Sequence, residues 1–118
     1  MPTLEELIQN VQAWGVAKGI TGPNGKATLL GQLEKTQEEL TETRDAAVIY
    51  EHYHEQSLSD AKEESYCKLI DGFGDQIVTL ILGMQLAGLT MEGCLGAAYE
   101  EIKDRTGVMK DGVFVKDK

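Results

Sequence analysis

Glu38, Glu39 and Glu42, with Asp71 and Asp75 about thirty residues further on, are the residues of this chain best suited to chemistry. Both clusters lie in segments that read as helix. Glu39 and Glu42 are three apart; Glu38 and Glu42, and likewise Asp71 and Asp75, are four apart. Residues at those separations share a helix face. Two such faces packed together would crowd the acids into one pocket, which like charges oppose unless a cation lies between them. A hard divalent ion with oxygen ligands, most simply Mg²⁺, meets that need. Most Glu-rich helices are only solvated faces. The second cluster argues for more, because Asp71 and Asp75 open the most apolar stretch of the chain, Ile77 to Leu89, where only Thr79 and Gln85 are plainly polar. Carboxylates at the edge of such a stretch are expected to be partly desolvated and to need a partner. An N-cap role after Gly74 would account for Asp75 but not for both aspartates.

The elements that must position these acids are helices almost throughout. Thr3 with Glu6 forms a capping-box pattern, and Leu4, Leu7, Ile8, Val11 and Trp14 recur at helical spacing. Lys18-Gly19 ends that helix, and Thr21 to Lys26 reads as a loop without a P-loop pattern. A long helix is expected from Thr28 to about Glu55, with Leu29, Leu33, Leu40, Ala47 and Tyr50 as its apolar stripe and Leu30 and Val48 beside it. Ser57 to Asp60 supplies a break and the next cap. A third helix runs from Asp60 to about Leu89, with a bend possible at Gly72 and Gly74. It is apolar over most of its circumference, so a homodimer sharing it is the economical arrangement. Thr90 caps a last helix to about Arg105, closed by Gly107, and Val108 to Val115 reads as a small hairpin around Asp111-Gly112. The expected class is all-α: an antiparallel bundle of four to five helices with a short extended or hairpin tail, in a single domain over residues 1–118.

Composition narrows the partners. A chain of 118 residues is long enough for a core of its own. Twenty acids against 11 Lys and Arg give a net charge of −9, which disfavours non-specific nucleic-acid binding. Met1 to Asn10 lacks a basic run and does not read as a signal peptide. The strongly apolar run near Ile77 to Leu89 is short for a bilayer span, so no membrane partner and a cytoplasmic location are expected. Cys67 and Cys94 form no C-x-x-C pair and read as small buried hydrophobes in a reducing compartment. His52 and His54, two apart, point to different faces of a helix. Their segment holds one E-x-x-H where a di-iron bundle needs two, so both read as surface residues.

Four strings in order resemble the MazG-type all-α nucleoside triphosphate pyrophosphohydrolases, particularly the short phage-like members. Trp14 with Gly19-Ile20 is similar to the opening helix and its end. Gln32 to Lys35 followed by Glu38-Glu39-Leu40-Thr41-Glu42 resembles the K-x-x-E-E-x-x-E signature. Asp71-Gly72-Phe73-Gly74-Asp75 resembles the second acidic motif, and Ala98 to Arg105 with Gly107 and Gly112 to Lys116 the C-terminal end. The resemblance covers nearly the whole chain. Two positions depart: Gly72 stands where the second motif has glutamate, and Glu100 where the last helix usually has asparagine.

The resemblance implies a Mg²⁺-dependent enzyme, with Mn²⁺ as a substitute, that cleaves a nucleoside triphosphate to monophosphate and pyrophosphate. It implies Glu39, Glu42 and Asp75 as metal ligands, with Asp71 as a fourth in place of the missing glutamate. Glu38 would be a further ligand or the base that activates water. Lys103 and Arg105 would bind phosphate, although either also suits a helix C-terminus. Lys35 would contact phosphate or pair with Glu38 or Glu39. Trp14, Tyr99 and Glu100 would line the nucleotide site, and the assembly would be a homodimer or homotetramer. The alternative from Gly72 and Glu100 is a catalytically weak nucleotide-binding or helical interaction module that keeps the fold.

Overall fold

The computed structural model describes residues 1–53 and 60–118. The residue His54, the expected end of the long helix near Glu55, and all of the expected Ser57 to Asp60 break except Asp60 lie outside them. The described chain is mostly helical, with four α-helices and one two-stranded sheet, which agrees coarsely with a helical bundle ending in a hairpin. It divides into two compact units, Met1–Gly88 and Leu89–Lys118.

The first unit holds α1 (Leu4–Ala17), α2 (Leu29–His52) and α3 (Asp60–Leu86). Thr3 caps α1 by accepting from the Glu6 N–H at 3.1 Å, and its own hydroxyl donates to Glu6 Oε1 at 3.2 Å. Thr28 caps α2 by accepting from the Gly31 N–H at 3.0 Å. Both caps satisfy amide donors that a helix N-terminus leaves without partners. α3 runs unbroken through Gly72 and Gly74. On length and composition alone it could cross a membrane, and a helix this apolar equally suits a bundle that covers it on several sides.

α2 and α3 pair in opposite senses along a seam that is polar and small rather than leucine-rich. The α2 residues turned toward α3 are Gln32, Thr36, Glu39, Thr43 and Ala46, spaced four, three, four and three. Thr36 Oγ1 lies 2.7 Å from Thr79 Oγ1. Gln76 Nε2 donates to Thr43 Oγ1 at 2.9 Å, and Thr43 donates to the Glu39 carbonyl at 2.7 Å. The expected stripe of Leu29, Leu33 and Leu40 stays more than two-fifths exposed in the single chain. Each seam hydroxyl finds an acceptor, so burying it carries little desolvation cost. The apolar core is correspondingly small, with Ala46, Ile81 and Leu82 fully inside. α1 also packs on α3.

The second unit holds α4 (Met91–Ile102), β1 (Gly107–Lys110) and β2 (Val113–Lys116). Thr90 caps α4 through the Gly93 N–H at 3.0 Å. α4 ends at Ile102, short of Arg105, and Gly107 opens β1 rather than closing a helix. The strands pair antiparallel with Lys110 opposite Val113. Asp111 and Gly112, at φ of 50° and 83°, make the turn between them, and both central residues of such a hairpin turn need the left-handed region.

Candidate metal centre

The α2–α3 seam opens along one side into a cavity of about 420 Å³. α2 contributes Glu39, Glu42 and Asp45 to its wall, and α3 contributes Lys68, Asp71, Gly72 and Asp75, over a floor of Ala46 and Ile49. Four of the acids singled out in the sequence, Glu39, Glu42, Asp71 and Asp75, therefore share one cavity from two helices. No three of these carboxylates are drawn around one point closely enough to clasp an ion, nor do any other described His, Cys, Asp and Glu residues form such a group. The donor set still fits Mg²⁺ in kind, since this ion keeps several waters and takes only one or two carboxylates directly.

The seam decides which acid is desolvated. Asp71 and Asp75, expected to be partly buried, are exposed. Glu39 is the least exposed of the four: half-buried, it continues the α2 packing row, and only 12 % of its side chain is exposed. Its carboxyl is held above the ordinary range, first by burial and then by the charges of Glu42 and Asp75. Lys35, 4.0 Å away, opposes this, and Glu38 adds to it. The cavity thus carries negative charge that its own residues do not neutralise, the condition under which a divalent cation is held. Asp75 lies in the interior of α3 and caps no helix.

Gly72 has a physical reason. It is buried, and a Cβ there would run into the Thr43 hydroxyl and come within 3.0 Å of Thr43 Cβ. The position where the resembled motif has glutamate is in this chain the place where the Thr43 side chain of α2 sits against the α3 backbone. Asp71, one residue earlier, lines the cavity instead.

The other expected residues fall elsewhere. Glu38 does not line the acid cavity. It points outward, 65 % exposed, with Lys35 Nζ 3.4 Å from its carboxylate, and borders a shallow depression with Glu34, Gln37, Thr41 and Glu42. Lys35 lines a second cavity of about 540 Å³, together with Trp14, Ile20, Val78 and Leu82. Glu39 and Asp75 line both cavities, so this largely apolar space adjoins the acids. Tyr99, Glu100, Lys103 and Arg105 belong to the second unit. There Lys103 pairs with Glu100 at 2.8 Å and Arg105 with Glu101 at 3.3 Å, the local pairing expected of cations near a helix C-terminus.

Two cavity residues were not anticipated, Asp45 and Lys68. Their signal was present: Asp45 continues the three-residue spacing from Glu42, and Lys68 stands three before Asp71. His52 is exposed, with its ring edge-on to Tyr53 at 4.7 Å. Cys67 is exposed and Cys94 half-buried, both unpaired. Neither is the buried hydrophobe expected, because the lone first unit leaves that face of α3 uncovered and α4 buries none of its residues fully. Comparison with protein-family profiles, curated proteins and solved structures finds no match to this chain.

Proposed function

We propose that the chain is a Mg²⁺-dependent hydrolase that converts a nucleoside triphosphate to the monophosphate and pyrophosphate. The observation that carries this reading is the single cavity in which α2 and α3 set carboxylates against each other around a desolvated Glu39. Glu39, Glu42, Asp71 and Asp75 would hold the ion. Bound there, Mg²⁺ supplies charge neutralisation at the phosphate oxygens and a more acidic water. The chain's own residues do the rest. Glu39 and Asp75 present carboxylates at the boundary between the two cavities. Trp14, Ile20, Val78 and Leu82 offer an apolar wall for the base, and Lys35 offers a cation at its edge. Glu38, on the outer side of α2, serves as a rim charge that orients Lys35.

Two further elements of the reading have local support. The weak-relative alternative leaned on Gly72 and Glu100; the packing of Gly72 against Thr43 gives Gly72 a structural reason, and Asp71 keeps an acid on the cavity wall. The homodimer is supported by Tyr66, Ile70, Phe73, Ile77 and Leu80, all exposed on one face of α3. Their four-three-four-three spacing is that of a helix–helix seam.

The test is pyrophosphate release from each NTP and dNTP with Mg²⁺. Release is expected for at least one nucleotide and should fall by at least about 100-fold in Glu39→Ala and Asp75→Ala. Glu42→Gln should lose turnover while keeping the helical spectrum of the wild type. Normal hydrolysis by that variant would remove the metal assignment.

A further inference from the structure

At Gly72, on the wall of the acid cavity, a chain of hydrogen bonds ties α2 to α3. The Gln76 side-chain amide on α3 donates to Thr43 Oγ1 at 2.9 Å and to the Gly72 carbonyl at 3.3 Å. The Thr43 hydroxyl on α2 accepts that bond and donates its own proton to the Glu39 carbonyl at 2.7 Å. The amide nitrogen carries two protons and the hydroxyl one, so every proton of the tie is used. Thr43 is buried and Gln76 half-buried, where water competes little for these bonds. Neither side chain lines the cavity. The anchors nevertheless fall at the acids. Glu39 is an anchor through its own carbonyl. Thr43 follows Glu42, Gly72 follows Asp71, and Gln76 follows Asp75. Each of these four cavity carboxylates therefore springs from an anchored residue or from its immediate neighbour. Packing fixes the same spacing a second way, since a Cβ on Gly72 would run into the Thr43 hydroxyl.

We propose that Thr43 and Gln76 are positioning residues that fit the metal centre to Mg²⁺ rather than to a larger divalent ion. This role rests on the hydrolase reading for its metal and adds to it what selects the ion. Mg²⁺ demands near-ideal octahedral geometry, whereas Ca²⁺ takes about six to eight oxygens in flexible arrangements. Two cavity walls held at one spacing and register suit the more exacting ion. Releasing the tie lets α2 and α3 slide and splay, which costs Mg²⁺ more than Ca²⁺. Groups that orient metal ligands without touching the ion typically change its affinity by about 10- to 100-fold.

Calorimetric titration of the nucleotide-free chain with MgCl₂, and separately with CaCl₂, tests the role. Wild type is expected to bind Mg²⁺. Thr43→Val and Gln76→Met keep the side-chain volume and remove the polar partners. Each should weaken Mg²⁺ binding about tenfold and Ca²⁺ binding by no more than about twofold. Thr43→Ser keeps the hydroxyl and should recover most of the Mg²⁺ affinity. Thr36→Val is the control, because it breaks the hydroxyl contact with Thr79 in the same seam. It should lower stability without moving the ratio of the two affinities. Equal losses for both ions, unchanged Mg²⁺ binding, no recovery in Thr43→Ser, or the same change of ratio in Thr36→Val overturns the positioning role and leaves the hydrolase reading standing. A ratio shifted as expected in a protein that hydrolyses no nucleotide supports the role and overturns the hydrolase reading. No Mg²⁺ binding by wild type overturns both the role and the metal assignment. Where Thr43→Val does not fold, Gln76→Met decides, because Gln76 is only half-buried.

Discussion

Glu39 joins the packing to the chemistry. Its place in the α2–α3 seam removes it from water, and its neighbours Glu42 and Asp75 then raise its proton affinity. In metal-free protein the folded state therefore holds this proton more tightly than the unfolded chain does. At pH below the ordinary carboxylate range the group is neutral in both states and costs nothing. Stability falls as pH rises through the raised folded-state value, and the loss is complete above it. Glu39→Gln should accordingly raise the melting temperature of metal-free protein at pH 7.5 by a few degrees, and flatten the pH dependence below neutrality. The same variant should lose the stabilisation that Mg²⁺ gives the wild type through preferential binding to the native state. A melting series at several pH values, with and without Mg²⁺, checks both parts. Gly72 makes the complementary case. Alanine in a helix interior is ordinarily better than glycine by roughly 1 kcal/mol. Here the added Cβ meets the stiff Thr43 side chain, and overpacking costs about 1–3 kcal/mol. Gly72→Ala should thus be destabilising by urea denaturation, and Thr43→Ala in the same chain should recover part of the loss. Gly72→Glu, which would rebuild the acidic motif, should unfold more readily and gain no activity.

The helices themselves were largely legible in the sequence, because their ends carry strong local chemistry. Thr3, Thr28 and Thr90 are all found as N-caps, and Asp111-Gly112 as the hairpin turn. Which face of α2 would pack was not legible. The leucines suggested one face, while the chain uses Gln32, Thr36, Glu39, Thr43 and Ala46. Apolar spacing shows where water is disfavoured; it does not show that threonine hydroxyls will be matched across a seam with hydrogen bonds. The same gap hid Asp45 and Lys68, which became cavity residues only once that face was known. The seam makes its own prediction. Thr36 Oγ1 and Thr79 Oγ1 lie 2.7 Å apart, so that one donates to the other while the accepting hydroxyl donates its own proton to a carbonyl of its helix, Gln32 or Gln76. Thr79→Val alone should cost about 1–3 kcal/mol, because it strips a partner from a part-buried hydroxyl. The pair Thr36→Val with Thr79→Val should cost less than the sum, since two matched apolar groups leave nothing unsatisfied. Urea midpoints of the two single variants and the double variant measure the difference.

The first unit alone is a poor candidate for a stable monomer. Among its described residues the fully buried apolar side chains are Ala46, Ile81 and Leu82, too few to offset the conformational entropy of ordering three helices. At the same time Tyr66, Ile70, Phe73, Ile77 and Leu80 lie open on α3, Phe73 at 59 % exposure. A contiguous apolar face of that size marks an interaction surface, and the seam-like spacing suits a second copy of the same helix. The net charge of −9 on each chain works against that pairing. Two acidic chains repel, and the repulsion is screened within a Debye length of about 8 Å at physiological salt. The expected result by sedimentation equilibrium is therefore a dimer that tightens as NaCl is raised, together with a melting temperature that climbs with protein concentration. Phe73→Asp with Ile77→Asp should give a monomer with a lower melting temperature, because unpaired carboxylates would have to be buried at the interface. Glu42→Gln, whose side chain lies on the cavity face of α2, should leave the association unchanged. A wild-type chain that sediments as a monomer at every salt and protein concentration would mean that α3 is not covered by a second copy.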